Sequence, residues 1–397
     1  MTKRIYQQYI NNYFRANLFH RELHETLKLV IMNEHDIKLR KLDHIFITLS
    51  KRVEEGESLL DEVALIHQSL PELDFTEVST ESLLLGKKLS APLIVTGMTG
   101  GHPLGGEINA ILAEVAEEKK IAIGVGSQRA GLLNSSLSWT YRVVRDRAPS
   151  VPVIGNLGAQ QLLQDDFIEL AEKAVEMIEA DALAIHLNPA QEVFQPEGDP
   201  HYKGIFNRLS ILVEKLGVPI IVKETGNGIS METALLLMKS GVKIIDVGGL
   251  GGTSWVKVEM YRAKRNRDTL RARASKSFVN WGIPTALSVL EVKTAYPEAT
   301  VICSGGVRTG LDIARCIALG ADYAGMALPF LKAAVKGKSA LQELIDKVTY
   351  ELKVALFLTG SRNIEELRTK KPVLGPRITT WINQRNLKYP GDKAHEK

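Results

Sequence analysis

The sequence predicts an α/β fold: a (β/α)8 TIM barrel with an N-terminal extension and a long insertion between strands six and seven. From residue 91 onward, short apolar runs alternate with longer amphipathic segments. The runs lack polar alternation, as expected of parallel strands buried on both faces. Polar or glycine residues follow nearly every run. A barrel gathers all eight carboxyl ends at one mouth, whereas a doubly wound sheet has one switch point, so closure is favoured.

Eight runs are predicted as strands, and the segments between them have helical periodicity. The predicted strands are Pro92–Thr96, Ile121–Gly126, Val151–Asn156, Ala182–Asn188, Pro219–Glu224, Ile244–Gly248, Thr300–Ser304 and Tyr323–Leu328. Intervening helices are predicted at Gly105–Lys119, Gln160–Glu179, Met231–Ser240 and Leu311–Leu319.

The length of 397 residues accommodates one barrel with insertions. We predict an extension of unknown role at residues 1–37, the barrel domain at 38–382 and a polar tail at 383–397. Residues 1–31 are interpreted either as a helical extension or as a product of start-site choice, because Met32 could open the chain. Residues 32–90 are expected to pack across the barrel.

Composition excludes several classes of protein. The net charge of +4 is small for this length and does not indicate nucleic-acid binding. The N-terminus lacks a signal-peptide pattern, and Leu27–Met32 is too short to cross a membrane. The two cysteines, Cys303 and Cys316, lie in segments predicted to be buried strand and helix. We therefore expect core thiols and a cytoplasmic protein.

The insertion between strands six and seven holds a basic amphipathic run, Met260–Lys276. A connection of about fifty residues is too long for an ordinary loop. The run is interpreted as a helix with a solvated face, with a lid over the mouth as the alternative.

Glycine-rich turns follow predicted strands six, seven and eight, at Gly248–Thr253, Ser304–Gly310 and Gly325–Leu328. Glycine permits close backbone approach, so successive N–H groups can converge on a phosphate. A helix starting near Thr309 is expected to add its positive end, and Arg308 its charge. Phosphate sites at this place are common in barrels. A phosphate cradle is therefore predicted.

Side chains at other strand ends extend this prediction to FMN. Lys223 ends strand five, and Thr96–Thr99, Ser127 and Asn156 lie across the mouth. A cation inside the mouth can stabilise negative charge on a reduced flavin. The mouth is therefore predicted to bind FMN.

The most specific stretch follows strand four and runs Ala-Ile-His-Leu-Asn-Pro-Ala-Gln-Glu over residues 184–192. It resembles the signature of the type 2, flavin-dependent isopentenyl-diphosphate isomerases. The resemblance covers residues 38–382 in order. It continues through residues 97–101, 126–129, 222–224, 251–253, 305–308 and 325–328.

The resemblance implies an activity. The family interconverts isopentenyl and dimethylallyl diphosphate by protonation and deprotonation, with reduced FMN as the acid–base group. It implies Mg2+ on the diphosphate, NADPH as flavin reductant, and a homo-oligomer, either tetramer or octamer. An alkene is a weak base, so its protonation needs a positioned acid and a dry site.

Matching positions carry the family's roles. The catalytic residues are expected to be Gln191, His186, Asn188 and Trp255, and Glu192 is expected to hold Mg2+. The substrate-binding residues are expected to be Arg40, Lys41, His44, Ser127, Gln128, Arg129 and Gln191. The flavin-binding residues are expected to be Thr96, Gly97, Met98, Thr99, Ser127, Asn156, Lys223, Gly248, Thr253, Gly306, Val307, Arg308, Ala327 and Leu328.

Two positions depart from the family, because relatives often carry Ser at position 248 and Gln at position 250, where this chain has Gly248 and Leu250. Individual flavin hydrogen bonds are thereby placed in doubt, but not the backbone cradle.

Three other functions agree less well with the sequence. An FMN-dependent 2-hydroxyacid oxidase needs a histidine base from the later strands, and no histidine lies between His201 and His395. An enzyme resembling IMP dehydrogenase needs a cysteine after strand six, and Gly248–Lys257 contains none. The third is a barrel that binds flavin or phosphate without turnover. The joint presence of Gln191, Glu192, Arg40 and Lys41 argues against it.

Overall fold

The computed structural model describes residues 34–388 and, of their side chains, those from residue 40 onward. The chain divides into two units, Met1–Arg40 and Lys41–Lys397, and the second contains the barrel. Most of the predicted extension at 1–37 and part of the tail at 383–397 lie outside the described residues. Those domain boundaries remain predictions.

Eight parallel strands close into a barrel, which confirms the predicted fold. In chain order the strands are β1 (Val63–Ala64), β2 (Ser82–Leu84), β3 (Lys87–Leu89), β4 (Leu93–Val95), β5 (Ala122–Gly124), β6 (Val153–Gly158), β7 (Ala182–Leu187), β8 (Ile220–Glu224), β9 (Ile244–Asp246), β10 (Thr300–Ser304), β11 (Tyr323–Met326) and β12 (Val373–Leu374). The barrel comprises β4 to β11, and pairing of β11 with β4 closes it. These are the eight apolar runs in their predicted order.

Helices surround the barrel. They are α1 (Glu34–Ser50), α2 (Pro103–Lys119), α3 (Arg129–Leu133), α4 (Trp139–Arg147), α5 (Phe167–Ile178), α6 (Pro189–Phe194), α7 (Ile205–Lys215), α8 (Met231–Lys239), α9 (Trp255–Arg265), α10 (Thr269–Ala274), α11 (Thr285–Ala295), α12 (Gly310–Ala318), α13 (Leu328–Lys336), α14 (Lys338–Leu358), α15 (Ile364–Arg368) and α16 (Pro376–Arg385).

Apolar side chains fill the barrel on both sides of its wall. A small inner cluster includes Ile94, Ile154 and Ile221, and a large outer cluster joins strands to helices. Leu84 and Leu89 of the β2–β3 hairpin belong to the inner cluster. The hairpin therefore closes the barrel at the amino ends of its strands and leaves the carboxyl ends open. This confirms for residues 82–89 the prediction that the segment before the first barrel strand packs across the barrel.

Both cysteines are core thiols, as predicted. Cys303 lies in β10 and Cys316 in α12, both are fully buried, and neither is in a disulfide. Burial raises the pKa of the Cys316 thiol. The Cys316 thiol therefore stays protonated and inert.

Candidate active site

The barrel mouth holds a pocket of about 320 Å3 of empty space, part of it open to solvent. Strand ends on every side of the mouth contribute to it, because the side chains of parallel strands converge there. The lining residues are Ile94, Thr96, Gly97, Gly124, Val125, Ile154, Gly155, Asn156, Ala184, Ile221, Lys223, Asp246 and Ile302. The polar side chains among them are Thr96, Asn156, Lys223 and Asp246, which lie in or directly after four strands around the barrel.

Three titratable side chains occupy one row of the barrel wall. His186 of β7 is paired in register with Lys223 of β8, and Lys223 with Asp246 of β9. The Lys223 ammonium donates to the backbone oxygen of Glu224 at 2.8 Å. Asp246 accepts from the Ser304 hydroxyl and from the amide of Gly248. The floor of the pocket therefore presents a fixed cation beside a fixed carboxylate.

His186 is held in one tautomer. Its Nδ1 lies 2.8 Å from Oδ1 of Asn156, whose Nδ2 donates to the backbone oxygen of Val125. Since that Asn156 oxygen can only accept, the imidazole proton is on Nδ1 and Nε2 is an acceptor. Burial, with the charges of Lys223 and Lys41, lowers the pKa of His186 to about 3. The imidazole of His186 is therefore neutral in the folded protein at pH values well above 3.

This pKa predicts how stability changes with pH. Below the ordinary histidine pKa of 6.5 the unfolded chain binds a proton at His186, whereas the folded chain does so only near pH 3. The free energy of unfolding should therefore fall as pH falls from 6.5 toward 3. Urea unfolding of His186→Gln at several pH values should show a shallower fall than wild type. His67→Gln, at an exposed position, is the control, and equal slopes in wild type and His186→Gln would rule out this origin.

The insertion contributes a buried carboxylate that contacts the signature loop. Glu259 of α9 is fully buried, and its Oε1 lies 2.9 Å from His44 Nε2 and 3.4 Å from Gln191 Nε2. Its Oε2 accepts from Arg262 at 2.7 Å. Burial raises its pKa, but bonds to His44 and the charge of Arg262 outweigh this and lower the pKa to about 2. Glu259 is therefore an anion that joins two predicted site residues.

The basic run of the insertion is only partly a solvated face. It divides into α9 and α10, and Lys264–Arg267 is exposed as predicted. Arg262, however, is buried and donates to Glu197 at 2.5 Å as well as to Glu259. The interpretation as a solvated helix face is therefore wrong for Arg262. A guanidinium that bridges two carboxylates is shielded from water.

Trp255 packs against a residue of the predicted substrate clamp. It opens α9, and its ring meets that of His44 edge to face, with centroids 5.1 Å apart. His44 is thereby held between an indole ring and the carboxylate of Glu259. The contact joins Trp255 to His44, and the role of Trp255 toward a ligand stays a prediction.

The signature loop forms its own hydrogen-bonded unit. Asn188 Nδ2 donates to Glu192 Oε1 at 2.7 Å and to Gln191 Oε1 at 3.3 Å. The second oxygen of Glu192 accepts from the amide of Asp199 at 2.7 Å. Tyr202 contacts Asn188 through its hydroxyl. Asn188 therefore orients both residues that were predicted to act on substrate and metal.

Metal binding at Glu192 would depend on the substrate. Within residues 34–388, no group of three or more His, Cys, Asp or Glu side chains could hold a metal ion. One carboxylate with phosphate oxygens is, however, a usual Mg2+ environment.

No helix in the same part of the chain is long and apolar enough to span a membrane.

The glycine turns after β9 and β10 touch. A Cβ on Gly252 would lie 2.8 Å from the amide nitrogen of Gly306, and one on Gly306 would lie 2.8 Å from the Gly251 carbonyl oxygen. Gly306 has φ +80°, a conformation that favours glycine. The segment 53–58 lies across this contact, since Glu55 N donates to Gly252 O at 3.3 Å. Two bare backbone turns therefore adjoin, and they fit a phosphate.

Part of the predicted cradle is wrong. The amides of Arg308 and Thr309 donate to Asp312, and that of Gly310 donates to Glu351 at 2.8 Å. The positive end of α12 is therefore occupied by carboxylates. Arg308 itself is ion-paired with Glu54.

A second helix remains suitable for the phosphate. Ala327 precedes α13, with no side-chain cap on the helix. Lys332 lies 3.7 Å from Glu54, which is also paired with Arg308. Two cations and one carboxylate leave one net positive charge here. The predicted residues Ala327 and Leu328 therefore stand at an uncapped helix start, which suits an anion.

The remaining predicted residues differ in access to the mouth. Thr96, Gly97, Asn156 and Lys223 line the pocket. Thr99 is 3% exposed and its hydroxyl donates to Gly105 and Asn109, away from the pocket.

Gln128 is fully buried. Its Oε1 accepts from the amide of Asn156, and its Nε2 donates to the carbonyl oxygen of Ala174. It has no group left for a diphosphate, and its contacts favour a role in placing Asn156.

The residues of the predicted substrate clamp lie in different surroundings. Lys41 Nζ donates to the backbone oxygen of Ser127 at 3.4 Å, and the Tyr141 hydroxyl donates to the same oxygen at 2.7 Å. Arg129 is exposed at the start of α3. Met98 and Val307 pack against the apolar core, so their backbone rather than their side chains would serve a ligand. Arg40 belongs to the first unit.

Sequence reasoning missed Glu224, Asp246, Glu259 and Arg262. Glu224 is buried, and one of its oxygens accepts the amides of residues 225–227 at 2.5–2.7 Å. Burial raises its pKa to about 7 despite those bonds. Its position after Lys223 at a strand end was the signal available. For Glu259 and Arg262 the only signal was their i, i+3 spacing on a helix.

Comparison with known proteins shows both fold and family relationships. A family model described as FMN-dependent dehydrogenase matches residues 160–373. Proteins named isopentenyl-diphosphate delta-isomerase are similar over most of the chain. That of Ignicoccus hospitalis is 51% identical, covering 88% of this chain and 96% of its own. That of Sulfurisphaera tokodaii is 50% identical, covering 90% and 98%. That of Methanocaldococcus jannaschii is 46% identical, covering 90% and 99%.

Solved structures of FMN oxidases share the fold at low identity. A Pediococcus acidilactici protein described as a lactate oxidase superposes with TM-score 0.62 and 14% identity, covering 88% of this chain and 96% of its own. A mandelate oxidase variant with a monooxide FMN adduct has TM-score 0.57 and 17% identity, covering 86% and 100%. At this identity the likeness concerns architecture alone.

Proposed function

The chain belongs to the family of type 2, flavin-dependent isopentenyl-diphosphate delta-isomerases, and we propose that it interconverts isopentenyl and dimethylallyl diphosphate. The observation that carries this proposal is the meeting of two features at one mouth. The signature loop with Gln191 and Glu192 lies on one side, and the bare glycine turns at Gly252 and Gly306 lie on the other.

FMN would be held by the residues that fit it. Gly252, Thr253, Gly306 and the start of α13 would take the phosphate through backbone amides. When bound and reduced, FMN supplies the acid–base group, and NADPH is proposed as its reductant.

Thr96 and Lys223 would face the ring system from the pocket. The ammonium of Lys223 would stabilise negative charge on the reduced ring.

The protein's own groups would bind and orient the substrate. Lys41 and Arg129 would neutralise the diphosphate, and Glu192 would hold Mg2+ against it. Gln191, tied to Glu259, would hold the isoprenoid double bond in place. Neutral His186 cannot supply a proton from an imidazolium, so its proposed role is to accept or donate a hydrogen bond. A cytoplasmic tetramer or octamer remains a prediction from the resemblance.

The proposal is tested by an anaerobic assay with reductant, FMN, Mg2+ and isopentenyl diphosphate. We expect yellow purified protein that bleaches on reduction and then produces the allylic isomer. Protein that cannot be loaded with FMN, or that is loaded and inactive, would contradict it. The 2-hydroxyacid oxidase alternative is separated in the same preparation by adding lactate or mandelate under air, where no peroxide should form.

Glu192→Gln should lower the activity and weaken its dependence on Mg2+ while leaving FMN bound. The carboxylate supplies the charge for the metal, and the amide keeps the shape of the bond to Asn188. The measurement is a Mg2+ titration of the rate at fixed substrate. The nearby Asp199→Asn, at an exposed carboxylate bonded to His201, is the control and should titrate like wild type. If Glu192→Gln responded to Mg2+ like wild type, Glu192 would not be a ligand of the metal.

A further inference from the structure

Asp246 is a pocket residue without a role in the function proposed so far. It is 3% exposed, yet it lines the mouth pocket together with Lys223. Its register partner on one side is Lys223, and Ser304 of β10 donates to it from the other. Gly248 N also donates to it, at 3.2 Å. A buried carboxylate with this many donors is fixed in position and orientation.

Three groups around the Asp246 carboxylate stabilise its charged form against burial. Burial raises the pKa of Asp246, and Lys223, the Ser304 hydroxyl and the Gly248 amide oppose that rise. His186, the next residue of the row, is neutral because its pKa is lowered to about 3. Lys223 donates to the backbone oxygen of Glu224 and makes no ion pair within 4.0 Å among the described side chains. The charge on the floor of the pocket is therefore set by Lys223 and Asp246 together.

We propose that Asp246 is a positioning residue that offsets the charge of Lys223 and so sets the reduction potential of the bound flavin. The inference rests on the proposed function, because it requires FMN to lie over this floor. A cation alone would favour the reduced, more negative flavin strongly. A carboxylate in the neighbouring position of the row moderates that preference, because opposite charges held in a pocket of low dielectric largely cancel at a distance.

The same carboxylate orients the turn after β9. The acceptor for Gly248 N belongs to Asp246, and Gly248 begins the turn that reaches Gly252 and the glycine cradle. Asp246 thus connects the floor of the pocket to the proposed phosphate site. Asparagine in its place keeps an acceptor oxygen for Ser304 and Gly248 and loses only the charge.

The test is the midpoint potential of bound FMN in wild type and Asp246→Asn. Loss of the negative charge should raise the preference for reduced over oxidised FMN about tenfold, which for a two-electron couple is a shift of about +30 mV. The control is Asp322→Asn. Asp322 precedes β11 and is paired with Lys293 at 3.2 Å, away from the pocket lining. This variant should keep the wild-type potential.

Three outcomes decide the matter. A positive shift in Asp246→Asn alone supports the inference. Equal potentials in wild type and Asp246→Asn overturn it and leave the proposed function standing. Wild-type protein that cannot be loaded with FMN overturns both.

If Asp246→Asn cannot be loaded with FMN, Ser304→Ala replaces it. Removing the hydroxyl donor raises the pKa of Asp246. Asp246 should therefore take up its proton at a higher pH in Ser304→Ala than in wild type. As the pH is lowered, the potential of the variant should depart upward from its simple pH slope at a higher pH than the potential of wild type does. An unchanged pH profile would overturn the inference.

Discussion

Arg262→Ala is expected to lower the free energy of unfolding by about 3–5 kcal/mol, the usual cost of removing one partner from a buried ion pair. The side chain of Arg262 is 3% exposed and that of Glu259 is fully buried. Without the guanidinium, the Glu259 anion would be left buried among His44 and Gln191. Chemical denaturation of the FMN-loaded protein measures the loss.

Arg265 provides the matched control on the same helix. Its side chain is 44% exposed and is paired with Asp43. Arg265→Ala should cost less than Arg262→Ala, because Arg265 is largely in water and the buried Asp43 still has Arg262 Nε 3.9 Å away. A combined Glu259→Met and Arg262→Met variant should recover most of the stability, since apolar replacement of a buried pair is often neutral. Equal losses in the two arginine variants would contradict a buried role for Arg262.

Gln191→Ala is expected to lower kcat by about 10²-fold, with FMN content unchanged. The amide of Gln191 is held at both ends, by Asn188 and by Glu259. A group held in this way serves to orient a reactant, and misplacement of a reactant by about 1 Å costs a rate of that order. Steady-state kinetics and the flavin absorbance of the same sample measure both quantities.

The control for Gln191→Ala is Val193→Ala on the same short helix. Val193 is 56% exposed, so its truncation should change neither kcat nor flavin content. If Gln191→Ala lost flavin along with activity, the residue would be structural. If it kept full activity, Gln191 would not touch the substrate.

The barrel could be predicted because each strand is a run of residues buried on both faces, and that pattern is local. The glycine turns and Lys223 could likewise be placed, since a strand end determines which rim a residue occupies. The position of Glu259 could not. It depends on how α9 folds back over the mouth, which follows from long-range contacts with His44 and Gln191 rather than from helical periodicity.

The partners of charged residues could not be predicted from the sequence either. Arg308 was expected to face a phosphate, yet its guanidinium is bound by Glu54, more than 250 residues earlier in the chain. Thr99 was expected to face a ligand because it lies near a strand end, and Gln128 because the family resemblance implies it. Their side chains instead satisfy buried backbone and amide groups. A polar residue near a strand end can serve either purpose, and only the packed structure separates them.

The most direct test of proton transfer without net redox change is isomerisation in D2O. The anaerobically reduced protein is incubated with Mg2+ and isopentenyl diphosphate, and product and flavin are followed by NMR and absorbance. We predict dimethylallyl diphosphate carrying solvent deuterium, with all of the flavin still reduced at the end. Product without deuterium, or one flavin oxidised for each product formed, would contradict the account.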